Sequence, residues 1–323
     1  MPPAEAPPAG PLLNQLELGR LLTRIERDPG FARQALAELP ARPATAHRIG
    51  VTGSPGVGKS TLLGKVIRLL RDRGELVGVV AVDPSSPLSG GALLGDRLRL
   101  APAQDDPGLF IRSLASRGSL GGVTPAASGV AAVLEAAGYT RILIETVGVG
   151  QTGYDVVCLA DTVLALFSPE SGDALQFMKA GILEIGDLFA VNKADRPGAD
   201  ALLKEITYSL SLEHEAGDAS TAGQAPWVEP VLAVSAASGD GIAGVVEQLD
   251  AHRAWLAGLP LDHPRRLRRM ERELAFVVRS VIDGLIDGGL VAERRALAQQ
   301  VQHGTLDFWA AVEQLRNQVK AAL

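Results

Sequence analysis

The sequence predicts an α/β fold: a doubly wound, mostly parallel sheet covered by helices, with helical extensions at both ends. Between residues 46 and 260, apolar runs alternate with helix-patterned segments, as crossover connections between parallel strands require. Several runs are continuously apolar, as in residues 76–82, which suits strands that are buried on both faces. A glycine-rich octapeptide follows the first of these runs and opens a long helical pattern.

The predicted strands are short apolar runs, and they cover residues 48–52, 76–82, 141–145, 162–167, 187–192 and 230–234. The helical patterns between them cover residues 59–73, 125–137, 173–185, 199–213 and 241–257. Residues 84–122 interrupt the alternation with Gly-, Ser- and Pro-rich stretches, and we interpret them as a functional or mobile insertion. Ligands of such sheets bind at the carboxyl ends of the strands, so we expect the site at that edge.

Two helical extensions flank the predicted sheet domain at residues 46–260. Residues 1–45 form an N-terminal extension, in which a Pro- and Ala-rich start precedes a helical period at residues 14–39. Residues 261–323 carry no strand pattern and form a predicted helical arm. Its basic start at residues 265–269 is interpreted as a solvated helix face, because the net charge of the chain is −6.

Composition excludes several classes of protein. The chain has 323 residues, of which 46% are hydrophobic, so it is long and apolar enough to bury a large core. A single cysteine, Cys158, excludes an internal disulfide framework and a Cys-x-x-Cys metal site. The histidines are scattered and predicted to lie at the surface: His47, His214, His252, His263 and His303. We predict a cytoplasmic protein with no membrane partner, since neither a spanning run nor a signal peptide is present. The net charge of −6 argues against a nucleic-acid partner.

The octapeptide has the pattern Gly-x-x-x-x-Gly-Lys-Ser between a predicted strand and a predicted helix, which is the setting of a phosphate-binding loop. Its glycines allow backbone N–H groups to converge on phosphate oxygens, and the helix N-terminus adds further donors. The lysine would reach the β- and γ-phosphates, and the serine hydroxyl would bind Mg²⁺. We therefore predict the P-loop NTPase fold, with nucleotide-binding residues Gly53, Ser54, Pro55, Gly56, Val57, Gly58, Lys59, Ser60 and Thr61.

A second motif selects the base. Asn192-Lys193-Ala194-Asp195 follows a predicted strand and has the Asn-Lys-x-Asp pattern of guanine recognition. The Asp195 carboxylate can accept hydrogen bonds from the N1–H and the 2-amino group of guanine, whereas adenine offers neither donor. Asn192 would support the loop, and the stem of Lys193 would lie over the ring. After the next strand, Ser235, Ala236 and Ala237 lie where a backbone N–H could reach guanine O6. The predicted ligands are therefore GTP and GDP.

Acidic residues at predicted strand ends are candidates for Mg²⁺ binding, directly or through water. Asp83 and Glu145 follow strands directly, and Asp96 lies inside the insertion. Gly148 is predicted to offer its backbone N–H to the γ-phosphate, and Gln151 is close enough in sequence to orient a water molecule. With Lys59, these two residues complete the predicted catalytic set.

Taken together, these segments resemble the MeaB/ArgK-type GTPases that accompany methylmalonyl-CoA mutase. The resemblance spans roughly residues 15–320 and is carried by residues 53–61, 81–87, 90–97, 145–151, 178–185 and 192–195. It implies a slow GTP-hydrolysing chaperone that assembles or protects an adenosylcobalamin-dependent acyl-CoA mutase, most often methylmalonyl-CoA mutase. It also implies a homodimer that uses the C-terminal helices.

Three alternative functions remain open at this point. A metallochaperone GTPase of the nickel-delivering kind would need Cys or His ligands, which are scarce here. A kinase for a small molecule or protein is disfavoured by the guanine motif. A GTP-dependent scaffold that rarely hydrolyses its nucleotide differs little in sequence from the chaperone.

Overall fold

The computed structural model describes residues 11–28, 30–39, 46–83, 106–115, 124–146, 155–170, 181–216 and 225–322. Its centre is a seven-stranded parallel sheet in the order β3-β2-β4-β1-β5-β6-β7. The strands are β1 (His47–Gly53), β2 (Val77–Asp83), β3 (Leu109–Ala115), β4 (Arg141–Glu145), β5 (Thr162–Phe167), β6 (Leu188–Val191) and β7 (Val231–Ala233). The chain builds outward from β1 in both directions, which confirms the predicted doubly wound fold.

Helices connect the strands and extend the chain at both ends. Two precede the sheet: α1 (Gln15–Arg27) and α2 (Phe31–Glu38). Within the sheet domain lie α3 (Lys59–Asp72), α4 (Pro125–Ala136), α5 (Asp155–Leu159), α6 (Leu183–Ile185), α7 (Ala199–Ala216) and α8 (Ile242–Gly258). The C-terminal helices are α9 (Pro264–Gly284), α10 (Val291–Gln302) and α11 (Phe308–Ala322), with a π-helical segment at Leu285–Gly289.

The helices bury both faces of the sheet. On one face, α3 and α8 pack their apolar side chains against β1, β5 and β6 in one continuous core, as with Leu63, Val66 and Val245. On the other face, α7 covers β6 and the end of β5 through residues such as Ile206. Side chains of successive strand residues point to opposite faces, so continuously apolar strands are what two covered faces require.

One strand was missing from the sequence-based expectation. The sequence predicts an insertion over residues 84–122, whereas their middle part forms β3, which pairs with β2 along seven residues at the sheet edge. The apolar run of β3 was the available signal, but Gly- and Ser-rich stretches on both sides concealed it. The parts of the predicted insertion at residues 84–105 and 116–122 lie outside the described residues, as does most of the predicted helix 173–185.

The N-terminal extension folds onto the sheet domain. Helix α1 begins with a capping box, in which Asn14 and Glu17 satisfy each other's backbone N–H groups. Its apolar stripe is fully buried through Leu18, Leu22 and Ile25, and α1 and α2 both pack against α4. These helices therefore enlarge the core of the sheet domain.

A buried hydrogen-bond chain crosses the amino end of the sheet, opposite the predicted site. Arg141 Nη1 lies 2.9 Å from His47 Nδ1, His47 Nε2 lies 2.6 Å from Thr162 Oγ1, and that hydroxyl lies 2.6 Å from His252 Nδ1. Arginine only donates, so His47 Nδ1 accepts and its Nε2–H donates to Thr162. Beyond the Thr162 hydroxyl, His252 Nε2 lies 3.5 Å from Arg265 Nη2 and 3.9 Å from Asp187 Oδ1, so the chain ends at this ion pair.

The surface location predicted for His47 and His252 is therefore wrong. Their side chains are 2% and 0% exposed, respectively. Burial lowers the pKa of His252 to about 3 and holds the pKa of His47 well below its usual value, because a charged imidazole would lose its hydration. Both rings are neutral near pH 7, as the hydrogen-bond chain requires.

The basic start of α9 is not the solvated face that the sequence suggested. Arg265 forms an ion pair with the buried carboxylate of Asp187, and Arg269 Nε lies 3.1 Å from Asp161 Oδ1. Arg266 donates to the carbonyl oxygen of Leu256 at 2.6 Å. The amino end of α9 is thus attached to the sheet domain by its arginines.

The chain divides into two compact units, Met1–Met270 and Glu271–Leu323, with the division inside α9. The second unit consists of the rest of α9, the π-helical segment, α10 and α11. Among the described residues, no helix combines the length and the apolar character needed to cross a bilayer.

Candidate functional site

The sheet register brings the predicted nucleotide-binding loops to one edge. Gly53, the last residue of β1, pairs with Leu166 of β5, and the end of β5 pairs with Val191 at the end of β6. Val191 in turn pairs with Ala233 of β7. The loops that follow β1, β6 and β7 therefore leave the sheet side by side, at the carboxyl edge where ligands of this fold bind.

The phosphate loop closes around the side chain of Lys59. This lysine is the first residue of α3, and its Nζ donates to the carbonyl oxygens of Gly53 at 2.8 Å and Ser54 at 3.2 Å. Its side chain is buried, with 8% of the residue exposed. The ammonium group thus lies within the loop, beside the N-terminus of α3, where both charge and helix geometry favour an anion.

Asn192 joins three loops through one side-chain amide. Its Nδ2 donates to the carbonyl oxygen of Val57 in the phosphate loop at 2.8 Å. Its Oδ1 accepts from the backbone N–H of Ala236, after β7, at 2.9 Å. Asn192 is only 2% exposed, so these bonds are shielded from water. The residue predicted to support base recognition also fixes the phosphate loop relative to it.

Gly58 lies next to this amide, in a backbone conformation that residues other than glycine rarely adopt. Its φ is +96°, in the left-handed region. A Cβ atom added there would lie 2.4 Å from Asn192 Nδ2, closer than any real contact. The second fixed glycine of the octapeptide is therefore required by its close approach to Asn192 of the Asn-Lys-x-Asp loop.

Asp195 presents a charged carboxylate at the surface. Its Oδ1 accepts from the Ser235 hydroxyl at 2.8 Å, while its side chain is 54% exposed. The hydrogen bond from Ser235, followed by a backbone hydrogen bond, lowers the pKa of Asp195 below its ordinary value. Asp195 therefore stays ionised at neutral pH, and it retains acceptor capacity for a ligand.

Ser60 and Glu145 meet between the phosphate loop and the end of β4. The Ser60 hydroxyl donates to Glu145 Oε1 at 2.7 Å, and Glu145 is 4% exposed. The register that pairs Val51 with Glu145 places this carboxylate beside the start of the loop. A hydroxyl and a carboxylate in contact form an oxygen donor set of the kind that Mg²⁺ uses.

For four other predicted site residues, the structure describes only part of the residue or none of it. Asp83 is the last residue of β2, two positions beyond the residue that pairs with Glu145, and its side chain lies outside the described atoms. Asp96, Gly148 and Gln151 lie outside the described residues. Four further residues that the sequence predicts to bind the nucleotide are exposed at the edge of the site: Pro55, Gly56, Thr61 and Ala237.

Lys193 reaches a partner that the sequence did not indicate. Its Nζ lies 2.7 Å from Oε2 of Glu170, which follows β5. Arg196 Nε lies 3.6 Å from the same carboxylate. No motif marks Glu170 or Arg196 in the sequence, and only the adjacency of β5 and β6 brings them together.

A phosphate loop and an Asn-Lys-x-Asp loop at one edge of a parallel sheet define the class of protein as a P-loop GTPase. Comparison with known proteins agrees with this class. The family described as Methylmalonyl Co-A mutase-associated GTPase MeaB matches residues 18–289, and the chain belongs to this family.

Individual relatives support the same assignment. A protein of Pyrococcus abyssi named as a GTPase is 38% identical over 301 residues, which are 93% of this chain and 91% of that protein. The mouse protein named methylmalonic aciduria type A homolog, mitochondrial, is 30% identical over 312 residues, which are 89% and 73% of the two chains. The crystal structure of a LAO/AO transport system kinase has a TM-score of 0.57 at 24% identity, covering 96% of this chain and 99% of that chain, and shows the same fold. The protein is a GTPase.

The close approach of Gly58 and Asn192 gives a direct test. In Gly58→Ala, the new methyl group should displace the Asn192 amide from Val57, and we expect GDP to bind about tenfold more weakly or worse. Isothermal titration calorimetry measures this change. Gly74→Ala is the matched control, since Gly74 also has a positive φ, of +77°, but nothing lies within 4 Å of its added Cβ. An unchanged GDP affinity in Gly58→Ala would contradict the steric argument.

Proposed function

We propose that this GTPase reads guanine through Asp195 and serves as a chaperone for an adenosylcobalamin-dependent acyl-CoA mutase, with methylmalonyl-CoA mutase as the first candidate. The observation that carries the guanine assignment is the Asn192 amide, which ties the phosphate loop to the loop that carries Asp195. The family and the name of the mouse relative support the mutase as partner.

The proposed reading of guanine depends on a charged acceptor. The Asp195 carboxylate, held at Oδ1 by Ser235, accepts from the N1–H and the 2-amino group of the base. Adenine presents an unprotonated N1 and no 2-amino group, so the carboxylate would face a ring acceptor. Discrimination against ATP follows from leaving that charge without donors.

The proposed phosphate site is built from Lys59 and the N-terminus of α3. The ammonium group donates to the carbonyl oxygens of Gly53 and Ser54, and it is in place to donate to phosphate oxygens when a nucleotide enters. Being largely buried, it interacts with a phosphate through a lower effective dielectric than a surface lysine would. Its role is to offset charge on the β- and γ-phosphates.

Ser60 and Glu145 are the residues we propose to hold Mg²⁺, directly or through water, and their oxygen donors fit this cation. When bound, Mg²⁺ neutralises part of the phosphate charge. Glu145 orients the Ser60 hydroxyl, and its position at the end of β4 keeps it beside the phosphate loop.

A nickel-delivering GTPase is the less favoured alternative. Such a protein needs a cluster of metal ligands, and among the residues that the structure describes no group of three or more His, Cys, Asp or Glu side chains has the arrangement of a metal site.

The base assignment is tested by Asp195→Asn. An amide presents a donor where the carboxylate accepts, so GDP should bind about a hundredfold more weakly, and xanthosine diphosphate should become the preferred ligand. Fluorescence titration with labelled nucleotides measures both affinities. Asp200→Asn removes the same charge from an exposed position of α7 and should bind as wild type does. An unchanged preference for guanine in Asp195→Asn would refute the assignment.

The chaperone role is tested by GTP turnover with and without the candidate partner. We expect purified adenosylcobalamin-dependent methylmalonyl-CoA mutase to raise the turnover rate by about fivefold or more, the lower end of coupling between binding partners. Phosphate release is the readout, and Lys59→Ala reports any contaminating phosphatase. If neither this mutase nor related isobutyryl-CoA or ethylmalonyl-CoA mutases stimulate turnover, a GTP-dependent scaffold becomes the better description.

We further propose that the protein is a homodimer whose contact uses the C-terminal unit. The part of α9 within that unit exposes an apolar row at Leu274, Val278 and Val281, spaced so that the three side chains share one face. In α11, Phe308 and Trp309 are 60% and 73% exposed. Large exposed apolar surfaces of this kind mark interaction sites.

Light scattering tests the dimer. Wild type should show twice the chain mass, and the double variant Leu274→Glu/Val278→Glu should dissociate, because two carboxylates would be buried in an apolar contact. Arg272→Glu places the same residue on the opposite side of α9 and should leave the dimer intact. A monomeric wild type at micromolar concentration would overturn the proposal.

A further inference from the structure

The loop after β5 supplies a carboxylate to the base-recognition loop after β6. The strands are neighbours, and Phe167 pairs with Val191 at their carboxyl ends. Three residues beyond Phe167, Glu170 Oε2 lies 2.7 Å from Nζ of Lys193. The side chains of Glu170 and Lys193 are 47% and 32% exposed, respectively, so this ion pair lies at the rim of the site.

The backbone of Lys193 is held in an unusual conformation. Its φ of +58° makes it the one non-glycine residue with positive φ in the described part of the chain. Two hydrogen bonds fix this turn: Ala194 N–H donates to the carbonyl oxygen of Val234, and Arg196 N–H donates to that of Lys193, both at 2.9 Å. The main chain therefore sets where the lysine stem starts, and Glu170 sets where the ammonium group ends.

Arg196 lies between two carboxylates. Its Nε is 3.6 Å from Glu170 Oε1 and 3.5 Å from Asp195 Oδ2. Oδ1 of Asp195 is already occupied by Ser235, so Oδ2 is the oxygen with the most acceptor capacity left for a base. A guanidinium that turned fully toward Asp195 would compete with that base.

Glu170 is ionised under ordinary conditions. The hydrogen bond from Lys193, together with the charge of the ammonium group, lowers the pKa of Glu170. Its carboxylate faces the two cations of the loop, Lys193 and Arg196.

We propose that Glu170 is a positioning residue for guanine recognition, which holds the Lys193 ammonium group and gives Arg196 a second partner away from Asp195. The inference rests on the guanine site proposed above. Its ligand class is a purine nucleotide whose ring is covered by the lysine stem. Glu170 touches no part of this ligand and acts through Lys193 and Arg196.

The sign of the effect distinguishes this role from simple electrostatics. GDP is an anion, so removing a negative charge near it would by itself strengthen binding. The proposal predicts the opposite, because Glu170→Gln releases Lys193 and leaves Arg196 with Asp195 as its acidic partner. For a half-exposed ion pair, we expect the Kd for GDP to rise about twofold to fivefold.

The experiment measures GDP affinity of the full chain by fluorescence titration at low and high salt. Glu170→Gln should weaken binding, and the difference from wild type should shrink as salt screens the pair. Glu205→Gln, which neutralises an exposed carboxylate on α7, should match wild type. Equal or tighter GDP binding by Glu170→Gln overturns the proposal.

A double-mutant cycle then separates positioning from general damage. Lys193→Met keeps an apolar stem and removes the ammonium group, so adding Glu170→Gln to it should cost clearly less than in wild type. Equal losses in both backgrounds would show that Glu170 does not act through Lys193. Asp195→Asn is measured in the same assay. If this variant keeps its preference for guanine, the proposed guanine site is wrong. If its preference switches but the effects of Glu170→Gln and Lys193→Met are additive, only the inference about Glu170 is wrong.

Discussion

One buried amide holds the nucleotide-binding edge together. Asn192 donates to Val57 in the phosphate loop and accepts from Ala236 after β7, and it lies almost entirely out of water. Hydrogen bonds in such a setting are costly to break, since a separated partner would stay buried without compensation. Gly58 packs against the same amide, so the shape of the phosphate loop and the position of the Asn-Lys-x-Asp loop depend on each other.

The sheet explains why these distant segments meet. Parallel pairing places the ends of β1, β4, β6 and β7 at one edge. The phosphate loop follows β1, Glu145 ends β4, and the Asn-Lys-x-Asp segment follows β6. The opposite edge carries a different kind of chemistry: neutral histidines, a threonine and buried ion pairs that join the strand starts to α8 and α9. One edge is open to a charged ligand, and the other is closed by internal partners.

Patterns of neighbouring residues predicted the two loop motifs and most of the strands. The octapeptide, the Asn-Lys-x-Asp loop and most strands follow from residue spacing and apolar runs, and the family resemblance made from them is confirmed. Strand β3 was missed because turn-forming residues surround it. The burial of His47 and the contact of Glu170 with Lys193 could not be predicted. Thr162 is distant from His47 in sequence, no motif marks Glu170, and strand order alone brings each pair together.

The direction of the buried hydrogen-bond chain has a consequence for how this protein tolerates change. Because the donor-only guanidinium of Arg141 fixes the tautomer of His47, the hydrogen bond that His47 makes to Thr162 depends on a residue one link further along the chain. Substitutions along this chain are therefore epistatic: the acceptability of a residue at one link depends on which tautomer the other links impose.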